Sequence, residues 1–256
     1  MKKLVLVARG ITFQITNVVN NFANNFFMAV RPQIIKAYAA GESNQFTSLI
    51  FKSSRLSFYL LWLLILPIFL RIDYILALWL KDVPAYTAIF TRWVLVFVMV
   101  DALNNPLWTA IQAVGKLRRT ILYGSTFFLL VFPISYIFLK SGYAPWIVYP
   151  VLIAVRAIYL IIVFRILQGY IHISATRYIR DVLAPMAAII LTTGVTVWQI
   201  DRLFPQDFLS LILICMISCL INIGAIALIG MNSTERNLIL SKIKYALTKN
   251  KKKCRT

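Results

Sequence analysis

The chain has 256 residues, of which 61% are apolar or aromatic and only 14% charged, and its mean hydropathy is +0.80. A soluble domain carries about 25% charged residues, so this composition excludes an ordinary soluble enzyme, a disordered chain and a disulfide scaffold. Lys and Arg number 27 against 8 Asp and Glu, a net charge of +19, but these charges punctuate long apolar runs, as in a multi-pass membrane protein, and build no basic soluble domain for nucleic acid.

A membrane-spanning helix needs about 20 mostly apolar residues. The first candidate, residues 4–30, is long enough but polar, and no cleavable signal pattern precedes it. Six clearer segments follow at 56–70 (extended through 79), 86–103, 121–139, 146–166, 182–198 and 208–229. Short connections separate them, with turn formers at Gly41 to Asn44, Lys81 to Pro84, Ser141-Gly142 and Asp201 to Pro205. The expected fold is therefore an all-α integral membrane protein with about seven transmembrane helices. No soluble domain is evident.

Alternate connections differ sharply in basic residues. One set holds Arg31, Lys36, Lys52 and Arg55, then Lys116, Arg118 and Arg119, then Arg165, Arg177 and Arg180, and finally a Lys/Arg-rich tail. The other set holds only Arg71, Lys81, Lys140 and Arg202. The positive-inside rule places the first set, and the C-terminus, in the cytoplasm. Trp79, Trp146 and Trp198 then fall at outer ends of spans and Trp108 near an inner end, as membrane anchors. Lys2 and Lys3 break the pattern if 4–30 crosses. Either that helix does not cross, or residue 1 is not the natural start of the membrane domain; the second is favoured.

Polar groups at membrane depth are expensive and tend to face a cavity or another helix. The first helix carries Gln14, Asn17, Asn20, Asn21, Asn24 and Asn25. The steps 14, 17, 21 and 24/25 follow the helical period and draw one polar stripe. That stripe either lines a hydrated path or bonds the helix to its neighbours; the number of amides leans toward a cavity. Arg92 and Asp101 share one span but lie about 13 Å apart along its axis, so they do not pair. Arg92 either snorkels to the near end or lines a cavity. Asp101 is deeper and needs a partner or a cation. Arg156 sits mid-span and wants an anion, which is either Asp101 or a phosphate on a ligand. Arg9 lies near the outer end of the first helix. Pro67, Pro133 and Pro150 are expected to interrupt three spans.

The tail from Arg236 to Arg255 spaces Leu238, Ile239, Ile243 and Leu247 among basic residues, which suggests an amphipathic helix on anionic lipid; RNA binding lacks an aromatic platform. Cys215 and Cys219 are one turn apart with no further ligand, so no metal is expected. His172 stands alone in a loop, and no nucleophile elbow, HExxH, P-loop or GxGxxG occurs. Neither an enzyme nor a cofactor is expected.

The run from Ala8 to Gly41, with Arg9-Gly-Ile, Gln14-Ile and then Pro32-Gln-Ile-Ile-Lys36-Ala-Tyr38-Ala-Ala-Gly41, resembles bacterial polysaccharide flippases of the multidrug/oligosaccharidyl-lipid/polysaccharide exporter superfamily. Arg55-Leu-Ser-Phe-Tyr-Leu-Leu, Leu78-Trp-Leu-Lys81, Asn105-Pro-Leu and Ile111-Gln-Ala-Val-Gly-Lys116 are similar to the family as well. The resemblance implies a MATE-like fold of about 14 helices in two lobes, of which this chain matches the second part, from the eighth helix onward. Residues 1–170 would be second-lobe helices, 171–231 two additional C-terminal helices and 232–256 a basic cytoplasmic tail. The missing N-terminal lobe would come from elsewhere, or from a second copy. The implied activity is movement of undecaprenyl-pyrophosphate-linked oligosaccharide across the bacterial inner membrane during O-antigen, capsule or exopolysaccharide synthesis. Arg9, Arg92 and Arg156 would meet anionic groups, Gln14, Asn17, Asn21, Asn24 and Asn25 sugar or water, and Asp101 a cation or an arginine. Three other readings compete: a cation-coupled multidrug exporter of the same fold, a non-transporting membrane fragment, and a membrane-bound transferase, for which the carboxylate cluster is missing.

Overall fold

A computed structural model describes residues 2–231. The expected tail helix and Cys254 lie outside the described residues. Within them the chain is helical throughout, with no strand. Ten α-helices follow one another: α1 (Lys2–Ala39), α2 (Ser43–Leu70), α3 (Ile72–Trp79), α4 (Thr87–Ala102), α5 (Asn104–Val114), α6 (Leu117–Lys140), α7 (Val148–Gln168), α8 (Ala175–Tyr178), α9 (Ala184–Asp201) and α10 (Phe208–Ala225). One 3-10 turn (Pro145–Ile147) leads into α7, and wide π-turns join α8 to α9 and extend α10 to Gly230.

Six helical stretches are long and apolar enough to cross a membrane: Ser43–Leu70, Thr87–Val114, Leu117–Lys140, Pro145–Gln168, Ala175–Asp201 and Phe208–Gly230. The expected start of the second span at residue 56 is thus moved back to Ser43. Likewise the expected span at 86–103 continues through α5. The 38-residue α1 is the longest helix, about 57 Å, but its amides keep it out of that apolar set.

Local chemistry explains the element ends. Gly41 (φ 73°) and Gly115 (φ 75°) adopt the left-handed conformation that closes α1 and α5, and the Gly115 amide bonds back to the Ile111 carbonyl at 3.1 Å. Pro67 and Pro133 do not interrupt their spans, because α2 and α6 run through them. Pro150 falls in the first turn of α7, where its missing N–H costs nothing. The break comes instead at Leu103, between α4 and α5. Pro106 lacks the N–H that would reach the Ala102 carbonyl four residues back, and the chain turns tightly there, with the Leu103 amide on Val100 O at 3.3 Å.

The core of the bundle is α1, α2, the α4–α5 pair and α7. α1 turns Val19, Ala23, Phe27, Ile34 and Ala37 inward, at helical spacing, so its apolar stripe packs in the core while most of its amides lie beside that stripe and stay exposed. α6 hangs on α7. Gly124 allows this close approach, since a Cβ there would meet the Tyr159 hydroxyl at 3.1 Å. The side chains on its other faces, such as Leu129 and Phe132, are exposed, as suits a helix bathed in lipid.

α9 and α10 pack on α2. Arg71, which the sequence counts among the connections poor in basic residues, is the anchor of that contact and is 1% exposed. Its side chain pairs with Asp201 and donates to the carbonyls of Pro205 (2.7 Å), Asp201 (3.2 Å) and Phe204 (3.2 Å). One guanidinium thus fastens the α2–α3 corner to the α9–α10 connection. Trp62 Nε1 donates to Thr193 Oγ1 at 2.8 Å further along the same interface. Asp207 caps α10 by accepting from the Ser210 amide at 2.8 Å, which holds its carboxyl below the usual value.

Removal of one partner from a buried ion pair costs about 3–5 kcal/mol. Arg71→Met is therefore expected to lower the Tm of the detergent-purified protein and to speed proteolysis in the α9–α10 connection; an unchanged Tm would show that α9 and α10 hold without this anchor. The Asp207 cap contributes at neutral pH and is lost as pH falls through the lowered carboxyl pKa. Acid titration of Tm should show a component that Asp207→Ala removes, and identical titration curves would rule it out.

Candidate functional site

The amide stripe of α1 meets the broken span α4–α5 halfway across the bundle. Together they enclose an open cavity of about 270 Å³, lined by Asn17, Asn20, Asn21 and Asn24 from α1 and by Asp101 and Asn105 from the helix break, with small apolar patches from Ala23, Val98 and Ala102. That volume accommodates on the order of nine waters. The break itself shapes the site: the turn at Leu103 widens the gap beside α1 and leaves Asn105 on its wall. Asn104, 6% exposed, points its Oδ1 where no described group donates to it.

Two polar contacts pin α1 on either side of the cavity. Toward the N-terminal end, Thr12 Oγ1 meets Thr91 Oγ1 of α4 at 3.3 Å. Toward the other, Arg31 Nη2 donates to Gln112 Oε1 of α5 at 2.8 Å. These contacts lie about 28 Å apart along α1, close to the hydrocarbon thickness of a bilayer. Between them the amides Asn17, Asn21 and Asn24 stay exposed to the cavity mouth.

Arg156 of α7 forms an ion pair with Asp101, which is one of the two anions its position demanded. Both residues fall near the middle of their membrane-length helices, Thr87–Val114 and Pro145–Gln168. The Arg156 side chain is 12% exposed and that of Asp101 33% exposed, so the carboxylate faces the cavity and the guanidinium lies behind it. Two rings complete the surroundings of Arg156: Phe128 of α6 at 5.5 Å and Tyr159 at 5.3 Å from its guanidinium carbon. Its Nε–H is buried without an acceptor. Asp101 is thus held by a charge from behind, and its open side faces amides.

Other sequence candidates fall elsewhere. Arg92 does not reach the cavity. It donates Nη2 to Asp73 and Nε to the Phe69 carbonyl at 3.4 Å, because the α2–α3 corner brings Asp73 to the same end of the bundle. Its partners are thus Asp73 and the Phe69 carbonyl, and it does not line the asparagine cavity. Gln14 and Asn25 lie on the α1 stripe beyond either end of the cavity, and both are exposed. Arg9, also exposed, lies about 12 Å from Asn17 along the axis. Asn20 and Asn105 also line the site, although from sequence they are noted without counting among the candidate site residues. Asn20 sits off the strict 14/17/21/24 row, and Asn105 enters only because the span breaks; Pro106 immediately after it was the available signal. His172 is exposed, at a loop remote from the cavity. Cys215 and Cys219 are half-buried free thiols on α10, and no group of three or more His, Cys, Asp or Glu that could hold a metal occurs among the described residues.

The arrangement can hydrogen-bond a hydroxyl-rich or hydrated guest. Each amide offers two N–H donors and a carbonyl acceptor, Asp101 adds a charged acceptor, and Arg156 adds a cation that an incoming anion would have to recruit from Asp101. No family model, curated protein or solved structure matches the chain.

The pair predicts its own energetics. Asp101→Leu or Arg156→Leu alone leaves an uncompensated charge at membrane depth and should cost about 3–5 kcal/mol, whereas the double replacement should be close to neutral. Thermal unfolding of the four proteins in detergent measures this coupling. Additive losses would mean that the two residues do not act as a pair.

Proposed function

We propose that the chain moves a lipid-linked oligosaccharide across a membrane, with the amide-lined cavity as the passage for the sugar. The observation that carries this reading is the mid-span cavity itself: five asparagines and one aspartate gathered where an apolar interior would be cheaper to build. Asparagine amides match the alternating donors and acceptors of sugar hydroxyls, and a broken helix at membrane depth is tolerated where it lines such a cavity. The sequence motifs at Pro32 to Gly41 and Asn105 to Lys116 resemble polysaccharide flippases, and the second of them begins at a residue that lines this cavity.

In the proposed mechanism α1 serves as a seventh, polar spanning helix. Its exposed amides form one wall of the passage. A second lobe, or a second copy, supplies the opposite wall, because the cavity mouth is open on the α1 side. The sugar exchanges its water for Asn17, Asn21 and Asn24 as it passes. The pyrophosphate of the carrier lipid draws Arg156 away from Asp101, and the carboxylate recaptures the arginine when the phosphate leaves. The prenyl chain stays in the bilayer throughout. In this reading the membrane is a bacterial inner membrane, and the excess of Lys and Arg supports a cytoplasmic side for the α1–α2, α5–α6 and α7–α9 connections. A drug exporter is favoured less, since Asp101 already has a cation in Arg156 and does not need one from a ligand.

Arrival of a polyprenyl-pyrophosphate-linked oligosaccharide in the opposite leaflet is the direct assay, in proteoliposomes holding the chain alone or with whatever polypeptide co-purifies with it. Asn17→Leu/Asn21→Leu/Asn24→Leu should reduce flipping at least tenfold with Tm nearly unchanged, because these side chains face the cavity and not the core. Folded protein that flips nothing in either preparation would overturn the reading. So would transport of a cationic dye that the triple replacement leaves intact.

A further inference from the structure

A second cavity, of about 610 Å³, lies on the outer surface between α6 and α7, at the end of the bundle where the basic connections gather. It is separate from the asparagine cavity and shares no residue with it. Arg119 of α6 and Arg165 of α7 stand at its mouth; Tyr123, Phe127, Ile161 and Ile162 form its floor deeper along the helices. The antiparallel packing of the two helices brings the arginines to one end, since Arg119 is in the first turn of α6 and Arg165 in the last turn of α7. From Arg119 to Phe127 the groove runs about 12 Å along α6.

Among the described residues the two arginines have no counter-charge. Neither makes an ion pair or hydrogen bond among the described residues. Neither α6 nor α7 contains a single Asp or Glu. Lys116 and Arg118 add further positive charge beside the mouth. α6 buries little of itself against protein, so the surroundings of this groove in a membrane are lipid. Two unpartnered guanidiniums at the level of the headgroups, above an apolar trough at the level of the acyl chains, match one ligand in charge and in polarity along its length.

We propose that the α6–α7 groove is a binding site for an anionic phospholipid. The phosphate is held between Arg119 and Arg165, and one acyl chain lies against Phe127, Ile161 and Ile162. Bidentate donation from two arginines favours phosphate over a zwitterionic headgroup, whose own ammonium competes for it. The bound lipid also fills the side of α6 that protein leaves uncovered, and so supports the helix that places Phe128 over Arg156. This inference needs only that the chain is embedded in a membrane; it does not rest on the transport reading.

Native mass spectrometry of the full chain released from bilayers of equal phosphatidylglycerol and phosphatidylcholine tests it. The wild type should retain phosphatidylglycerol in preference to phosphatidylcholine. Arg119→Ala/Arg165→Ala should reduce retained phosphatidylglycerol at least threefold. Arg177→Ala/Arg180→Ala, which removes the same charge at the same end but outside the groove, should leave it unchanged. Equal loss in the two double variants would show general attraction to a basic surface and overturn the proposal. Equal retention of phosphatidylcholine would also overturn it, as would displacement of the lipid by inorganic phosphate at matched concentration.

Discussion

A guanidinium halfway along a membrane-length helix must find an anion, and in this chain the nearest one sits at the only break in the neighbouring span. The pairing of Arg156 with Asp101 therefore constrains much else. It sets α7 against α4, since both residues lie near the middle of their helices. It draws α6 in behind, because Phe128 of α6 lies over the cation, with Tyr159 of α7 itself beside it. It also decides what the cavity is: with Arg156 satisfied from inside, the carboxylate presents its free side to the amides of α1. Without the arginine, Asp101 would be a lone carboxylate at membrane depth, which is costly.

Arg71 solves the same problem at the edge of the bundle by a different route. It is more deeply buried than Arg156, yet it meets one carboxylate and three carbonyls and leaves little of its donor capacity idle. Saturation of this kind makes a rigid joint. Arg156, with its Nε–H unsatisfied, is the less settled of the two. The contrast between a saturated arginine and one with an idle donor is visible only from the partners each side chain finds.

Much of the fold was legible in the residues. The apolar runs gave the helices, and the short Gly- and Pro-containing connections gave the turns. The α1 stripe was equally plain, because amides at helical spacing inside an apolar sequence have few explanations. The site was legible in part. Asn17, Asn21, Asn24, Asp101 and Arg156 do converge, whereas Arg92 joins Asp73 and Arg9 stays apart. Proline was misleading by itself: Pro67 and Pro133 sit inside continuous helices, while Pro106, just past Asp101, marks the break that shapes the cavity.

The sequence by itself determined that this protein is helical, membrane-embedded and polar along one face of its first helix, because hydropathy and periodicity are properties of single segments. The tertiary structure decided which charge meets which. Arg71 looked like a loop residue until α9 and α10 closed over it. Arg156 had two possible anions until α4 packed beside α7. Asn105 became part of the site only when the span bent. Pairing of this kind depends on groups distant in the chain, and an isolated helix carries no record of the neighbour that will neutralise its charge.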